Sequence, residues 1–149
     1  MANVMKYLKG FNESKIIDTS SHELFISKLE DFCEENLAYL LDDGYYFNIS
    51  DNGDYSKIRF TFRGKNIIWN DIKDDFSPFL ELLREKYDID NRETEEVLVW
   101  ARPEKKSDGS HYYFSIDELL NDKMENCGYP NFRPDLIRTI EIDVLNSKK

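Results

Sequence analysis

The sequence predicts an α+β domain: an antiparallel sheet of four to five strands with two main helices packed on one of its faces. Three observations predict it. Apolar residues recur at helical spacing over 25–40 and again over 72–87. Two segments, YYFNIS-DNGD-YSKIRFTFR and EEVLVWARP-EKKSDGS-HYYF, read as strand, turn and strand, and LIRTIEIDVLN closes the pattern as an alternating strand. The order α-β-β-α-β-β-α-β sets each long helix beside a hairpin, and the economical arrangement of such parts is a sheet covered on one side. The leading α-β-β-α-β run also fits a circularly permuted ferredoxin-like sandwich, an alternative for the strand order.

Each element has a local reason. Ser20, followed three residues later by Glu23, is the sequence of a capping box. Phe25, Leu29, Phe32, Cys33, Leu37 and Leu40 then share a helical face, so the first helix is expected over 21–42, ended by Gly44. Asp42 and Asp43 stand at its negative dipole end, as a cost or a contact point. In the hairpin, Ile58, Phe60 and Phe62 alternate with Lys57, Arg59, Thr61 and Arg63, which gives one buried face. Gly64 breaks the second strand. Ile72, Phe76, Phe79, Leu80, Leu83 and Tyr87 form a single stripe crossed by Pro78. Proline lacks an N–H but suits a first turn, so the main helix is expected to start at Ser77 and Pro78, after a kink or irregular turn in WNDIKDDF. A strand ending at Pro103, a polar loop and HYYF make the second hairpin. Ser115 and Glu118 form another capping box, for a short helix through Met124, and NCGYPNFRP leads as loop into the last strand.

At 149 residues the chain is expected to fold as a single domain over 20–147, behind an N-terminal segment and linker at 1–19. Cys33 and Cys127 lie far apart, and neither has a second ligand at metal-binding spacing, so both are read as reduced and structural. That points to the cytoplasm. No apolar run is long enough for a membrane span or a signal peptide. Twenty basic against thirty acidic residues give a net charge of −10, and aromatics at 14% mark a packed chain rather than a disordered one. Such a field favours basic partners and opposes a phosphate backbone, or simply keeps the protein soluble.

No signature of catalysis emerges. Asp88, Asp90 and Asn91 begin like a calcium loop, but Arg92 and Glu93 stand where a ligand and the glycine belong. DNGD at 51–54 is what a tight hairpin turn requires. His22 and His111 have no nucleophile near them in sequence, and the six glycines form no phosphate loop. The chain is therefore read as non-enzymatic, with no metal and no cofactor. A sheet face carrying Arg59, Arg63, Tyr46 and Trp100 has the residue types that stack bases, but the overall charge disfavours nucleic acid as partner. Two rival readings remain: a small enzyme or nucleotide-binding protein with an aromatic pocket around Trp69, Trp100, Arg102 and His111, and an acidic immunity protein against a basic toxin.

The opening stretch MKYLKGFNESK differs from the rest. Lys6, Lys9 and Lys15 against Glu13 give it a local +2, and Val4, Leu8 and Phe11 share one side of a two-turn helix. One reading packs Leu8 and Phe11 on the domain. The other comes from resemblance: a segment that begins Met5-Lys6, is amphipathic and ends Phe11-Asn12-Glu13 before Ser14 resembles the capsid-targeting peptides of internal head proteins in T-even-like tailed bacteriophages. The resemblance implies cleavage by the prohead protease between Glu13 and Ser14, with Leu8 and Phe11 carrying the targeting, and a start at either Met1 or Met5. Phrases such as NLAYLLDDGYYF and DDFSPFLELL likewise resemble small proteins of such phages. What this implies is a non-enzymatic passenger that binds a protein partner, basic or part of host defence. It would reside in the host cytoplasm or the virion head.

Overall fold

The computed structural model describes residues 16–89, 96–101, 110–124 and 132–148. Leu8, Phe11, Glu13, Ser14, Arg102 and Cys127 lie outside them.

The last strand in sequence, β6 (Ile137–Lys148), is the middle strand in space. On one side it pairs with β2 (Tyr55–Phe62), which carries β1 (Tyr45–Asp51) at the edge; on the other it pairs with β4 (Val97–Ala101), which carries β5 (Ser110–Phe114). Every pairing is antiparallel. A sixth strand, β3 (Tyr87–Ile89), pairs with the far end of β6, opposite Val144 and Lys148. Among the described residues the sheet thus has six strands where the sequence predicts four to five. Three residues at the end of a helical stripe carry no period-2 signal of their own.

Two long helices, α1 (Ile16–Asn36) and α3 (Trp69–Lys86), and two short ones, α2 (Ala38–Asp42) and α4 (Ile116–Leu120), bury their apolar sides in one cluster against one face of the sheet. That face presents Ile58 and Phe60 from β2, Ile140, Ile142 and Val144 from β6, and Val97 and Val99 from β4, all buried. Phe60 lies between the rings of Tyr45 and Phe76, at 5.4 and 4.9 Å. The α+β class with both main helices on one side is as the sequence predicts. With α2, β3 and the β5-α4 arm left aside, joining β6 to α1 and ending the chain at β4 would give the order β-α-β-β-α-β, that of a ferredoxin-like sandwich, with β4 beside β6.

Three boundaries differ from expectation. α1 begins at Ile16, so Ser20 lies inside it rather than capping it, and its path breaks at Leu37, where φ is −114° and ψ 16°. The predicted face survives the break, because Leu29, Phe32, Cys33, Leu37 and Leu40 are all buried. α3 starts at Trp69 and runs through Pro78. Proline forfeits one helical hydrogen bond, at a cost of about 3 kcal/mol. Against that, Trp69, Ile72, Phe76, Phe79, Leu80 and Leu83 all reach the core only if the helix is continuous, and each buried side of this size contributes about 1.5–3 kcal/mol. The Ser115 capping box forms as predicted, with Glu118 N donating to Ser115 Oγ at 3.1 Å and Ser115 N to Glu118 Oε1 at 2.9 Å, but the helix stops at Leu120, short of Met124.

Turn chemistry fixes the first hairpin. Gly53, at φ +91°, donates its N–H to Asp51 Oδ1 at 3.0 Å. Asn146 of β6 reaches across to the same turn, its Nδ2 2.6 Å from the Gly53 carbonyl and its Oδ1 accepting from the buried Ser56 at 2.6 Å. Gly44, at φ +103°, allows β1 to start directly after α2, and a Cβ there would meet the Phe62 ring at 3.3 Å.

Candidate functional site

No described helix covers the other face of the sheet, and the pairing register arranges its side chains in cross-strand rows. One row runs Tyr46, Thr61, Thr139, Trp100, His111 from β1 to β5. The next runs Asn48, Arg59, Glu141, Leu98, Tyr113. A third begins Ser50, Lys57, Asp143. Period-2 alternation puts these residues here because their neighbours Ile58, Phe60, Ile140 and Ile142 are drawn to the core.

Charge on this face is knitted around one carboxylate. Glu141 is 5% exposed, and its Oε2 accepts from Arg59 Nε at 2.9 Å while Lys57 Nζ lies 3.2 Å from Oε1. Lys57 also lies 3.1 Å from Asp143 Oδ1. Burial works against the Lys57 ammonium, but Asp143 and Glu141 outweigh it and hold its pKa above the ordinary value. A buried carboxylate is tolerated only with such partners.

Above the first row lies an open trough of about 720 Å³. Its floor is the two small residues Thr61 and Thr139, between taller neighbours. Trp100 forms one side, its ring centred 3.7 Å from that of His111 and tilted by 47°. The turn after β2 forms the other side, with Gly64, Lys65 and Asn66. Arg59, Lys65 and Arg138 line it with positive charge. Arg138 gets there through a β-bulge: Trp100 faces Thr139 but Ala101 faces Ile137, so Arg138 is the extra residue, re-aimed out of the regular alternation. Thr61 Oγ1 is screened from solvent and has no hydrogen-bond partner among the described residues. Beside the trough, the Arg63 guanidinium sits 4.9 Å over the Tyr46 ring.

Of the six residues singled out from sequence, the structure therefore gathers Arg59, Arg63, Trp100 and His111 on one face. Trp69 is elsewhere. It is fully buried in the helix layer, where its N–H bonds the Pro134 carbonyl at 2.9 Å and Nε1 donates to Asp122 Oδ1 at 3.3 Å. Lys73 bonds the same carboxylate at 2.9 Å and, with that hydrogen bond foremost, holds the Asp122 pKa below the ordinary value. The aromatic pocket expected around Trp69 and Trp100 together is not formed. Thr61, Lys65, Arg138 and Glu141 were not singled out, since a residue's face depends on strand pairing and, for Arg138, on a bulge. The alternation of Lys57, Arg59 and Thr61 against Glu141 and Asp143 was the available signal.

The opposite surface is acidic. The four helices contain fourteen acidic and four basic residues, a net −10 that equals the charge of the whole chain. Residues 55–68 contain Lys57, Arg59, Arg63 and Lys65 and no acid. Among the helical carboxylates stand apolar side chains open to water, Tyr39 at 78% exposure, Leu24 at 54% and Leu82 at 40%. Partial burial, then Glu34 and Asp31, push the Glu30 pKa up. Beneath this layer burial, then Glu30 and Glu34, push the Cys33 thiol up to about 12, so it is a packing residue and not a nucleophile. Among the described residues no group of acids, histidines and cysteines is arranged to hold a metal, and no helix is long and apolar enough to cross a membrane.

Comparison with protein-family models, with curated proteins and with solved structures finds no match to this chain.

Proposed function

We propose that the protein is a non-enzymatic binding module that docks a basic protein partner on its acidic helix layer. The observation that carries this reading is the concentration of the chain's entire net −10 on four helices, with Leu24, Tyr39 and Leu82 exposed among the carboxylates. Opposite charge attracts and steers the partner, while exposed apolar side chains supply the desolvated contacts that make an encounter specific. The partner's source follows from the resemblance at Met5–Ser14: a phage protein, packaged in the head and delivered with the genome, or made in the host cytoplasm, that occupies a host protein such as a defence nuclease. A basic toxin bound by an immunity protein is the same chemistry from another source, and the identity of the captured partner separates the two.

The test has two parts. The N-terminus of the protein in purified virions is expected to be Ser14; absence from virions, or an intact Met1 or Met5 there, removes the packaging reading. For the partner captured from host cells, affinity measured by calorimetry is expected to fall with rising salt and to weaken when Asp31, Glu34 and Glu35 are changed to their amides. Affinity indifferent to both overturns the helix-layer docking.

A further inference from the structure

We propose that the trough on the open sheet face binds a nucleotide unit, with Trp100 stacking on the base and Arg59, Lys65 and Arg138 holding the phosphate. This site is independent of the helix layer and stands whether or not that layer docks a protein.

Three features of the trough point to the same ligand chemistry. Its volume, about 720 Å³, is that of a small-molecule site, and its floor is lowered by two threonines between Tyr46 and Trp100. It presents an anion-binding rim: Arg59 commits Nε to Glu141 but is 46% exposed at its side chain, and neither Lys65 nor Arg138 has an ion-pair partner among the described residues. It also presents a flat ring at one side, that of Trp100. A planar heterocycle with an attached phosphate answers all three features, the volume, the cationic rim and the ring. An acidic peptide answers only the rim.

The chain's net charge does not oppose this ligand. The open face holds Lys57, Arg59, Arg63, Lys65 and Arg138 against Glu141 and Asp143, a local +3, while the −10 belongs to helices behind the sheet and its core. At physiological salt a Debye length is about 8 Å, so a phosphate at the trough feels the near cations before the far carboxylates. Tyr46 and Trp100 stand on strands three positions apart, about 14 Å, so a single strand crossing the sheet has a second ring to stack on.

The experiment titrates the full-length protein with ATP and, separately, with a twelve-nucleotide single-stranded oligomer, following tryptophan fluorescence. Trp69 is buried in the core and reports that the fold is intact, so quenching from the trough belongs to Trp100. Saturable quenching by either probe is expected; affinities of the variants are read by calorimetry, because Trp100→Leu removes the reporter, and are expected to fall about tenfold or more in Trp100→Leu and in Arg138→Glu and to stay unchanged when Asp31, Glu34 and Glu35 become amides. Equal affinity for both probes assigns a free nucleotide. Oligomer binding that is tighter by tenfold or more and falls linearly in log–log salt assigns a single strand. No binding of either probe by folded protein overturns the proposal, as does binding that survives both trough variants, or binding of a polyglutamate peptide with neither nucleotide probe bound.

Discussion

The two sides of the sheet use the same alternating strands for opposite purposes. On the covered side β2 and β6 contribute Ile58, Phe60, Ile140 and Ile142 to a continuous apolar core, and the helices that close it face outward with fourteen acids against four bases. On the open side the intervening residues of the same strands are Lys57, Arg59, Glu141 and Asp143, paired with one another across the ladder. The difference teaches that net charge is a property of surfaces and not of chains. Averaged, −10 disfavours any phosphate; resolved into faces, it leaves a cationic trough on one side and an anionic layer on the other.

Mutations on opposite faces of one strand sharpen this contrast. Phe60→Ala removes a fully buried ring between Tyr45 and Phe76, and a loss of about 3–5 kcal/mol is expected from urea denaturation. One residue away, Arg59→Ala leaves Glu141 with Lys57 alone; because the guanidinium is half exposed, the expected loss is smaller, about 1–2 kcal/mol. A larger loss for Arg59 than for Phe60 would mean that the open face, not the core, holds the sheet together.

Protonation separates the faces further. On the open face the Lys57 pKa is raised, so the stability it contributes is complete below the ordinary lysine value of 10.5 and is lost as pH climbs through the higher folded value. In the helix layer the raised Glu30 pKa has the same sense in a lower pH window: the fold binds that proton more tightly than the unfolded chain, so stability rises as pH falls toward 4.5. Asp122 reverses the sense, since its lowered pKa contributes stability present above 3.8 and lost as pH drops through the folded value. Thermal melts from pH 4 to 7 are therefore expected to show a shallow gain on acidification that disappears in Glu30→Gln; a gain that persists in the variant would place its source in a group other than Glu30. The smallest expected effect is on Cys33. In a Cys127→Ser protein, an aromatic disulfide reagent at pH 8 should find no reactive thiol until denaturant is added, and prompt reaction would show that the helix layer opens readily.

Most of the fold was legible because its signals are local. Alternation at 57–63, the Asp51–Gly53 turn and the Ser115–Glu118 box each need only a few consecutive residues, and each appears as expected. The misses are where distant partners decide. Pro78 reads as a helix start until the stripe on both its sides is seen to share one core. Trp69 and Trp100 look equivalent in sequence, yet one bonds Asp122 in the helix layer and the other faces the trough. Arg59 meets Glu141 across 82 positions, and nothing within reach of either announces the other. The fold class was thus readable, while the site's membership was only half so, because a trough is made by register and a bulge.

The central place of β6 has a consequence for how the protein comes into being. Before residues 137–148 are made, the chain holds two separate hairpins, β1-β2 and β4-β5, with no strand to join them. A lone hairpin is marginal in water. Ile58 and Phe60 on one hairpin and Val97 and Val99 on the other have no central strand between them until residues 137–148 arrive, so pairing across the whole sheet must wait for them. A chain that stops between Phe114 and Ile137 would therefore not yield a smaller version of the protein, but two halves of a face that never met.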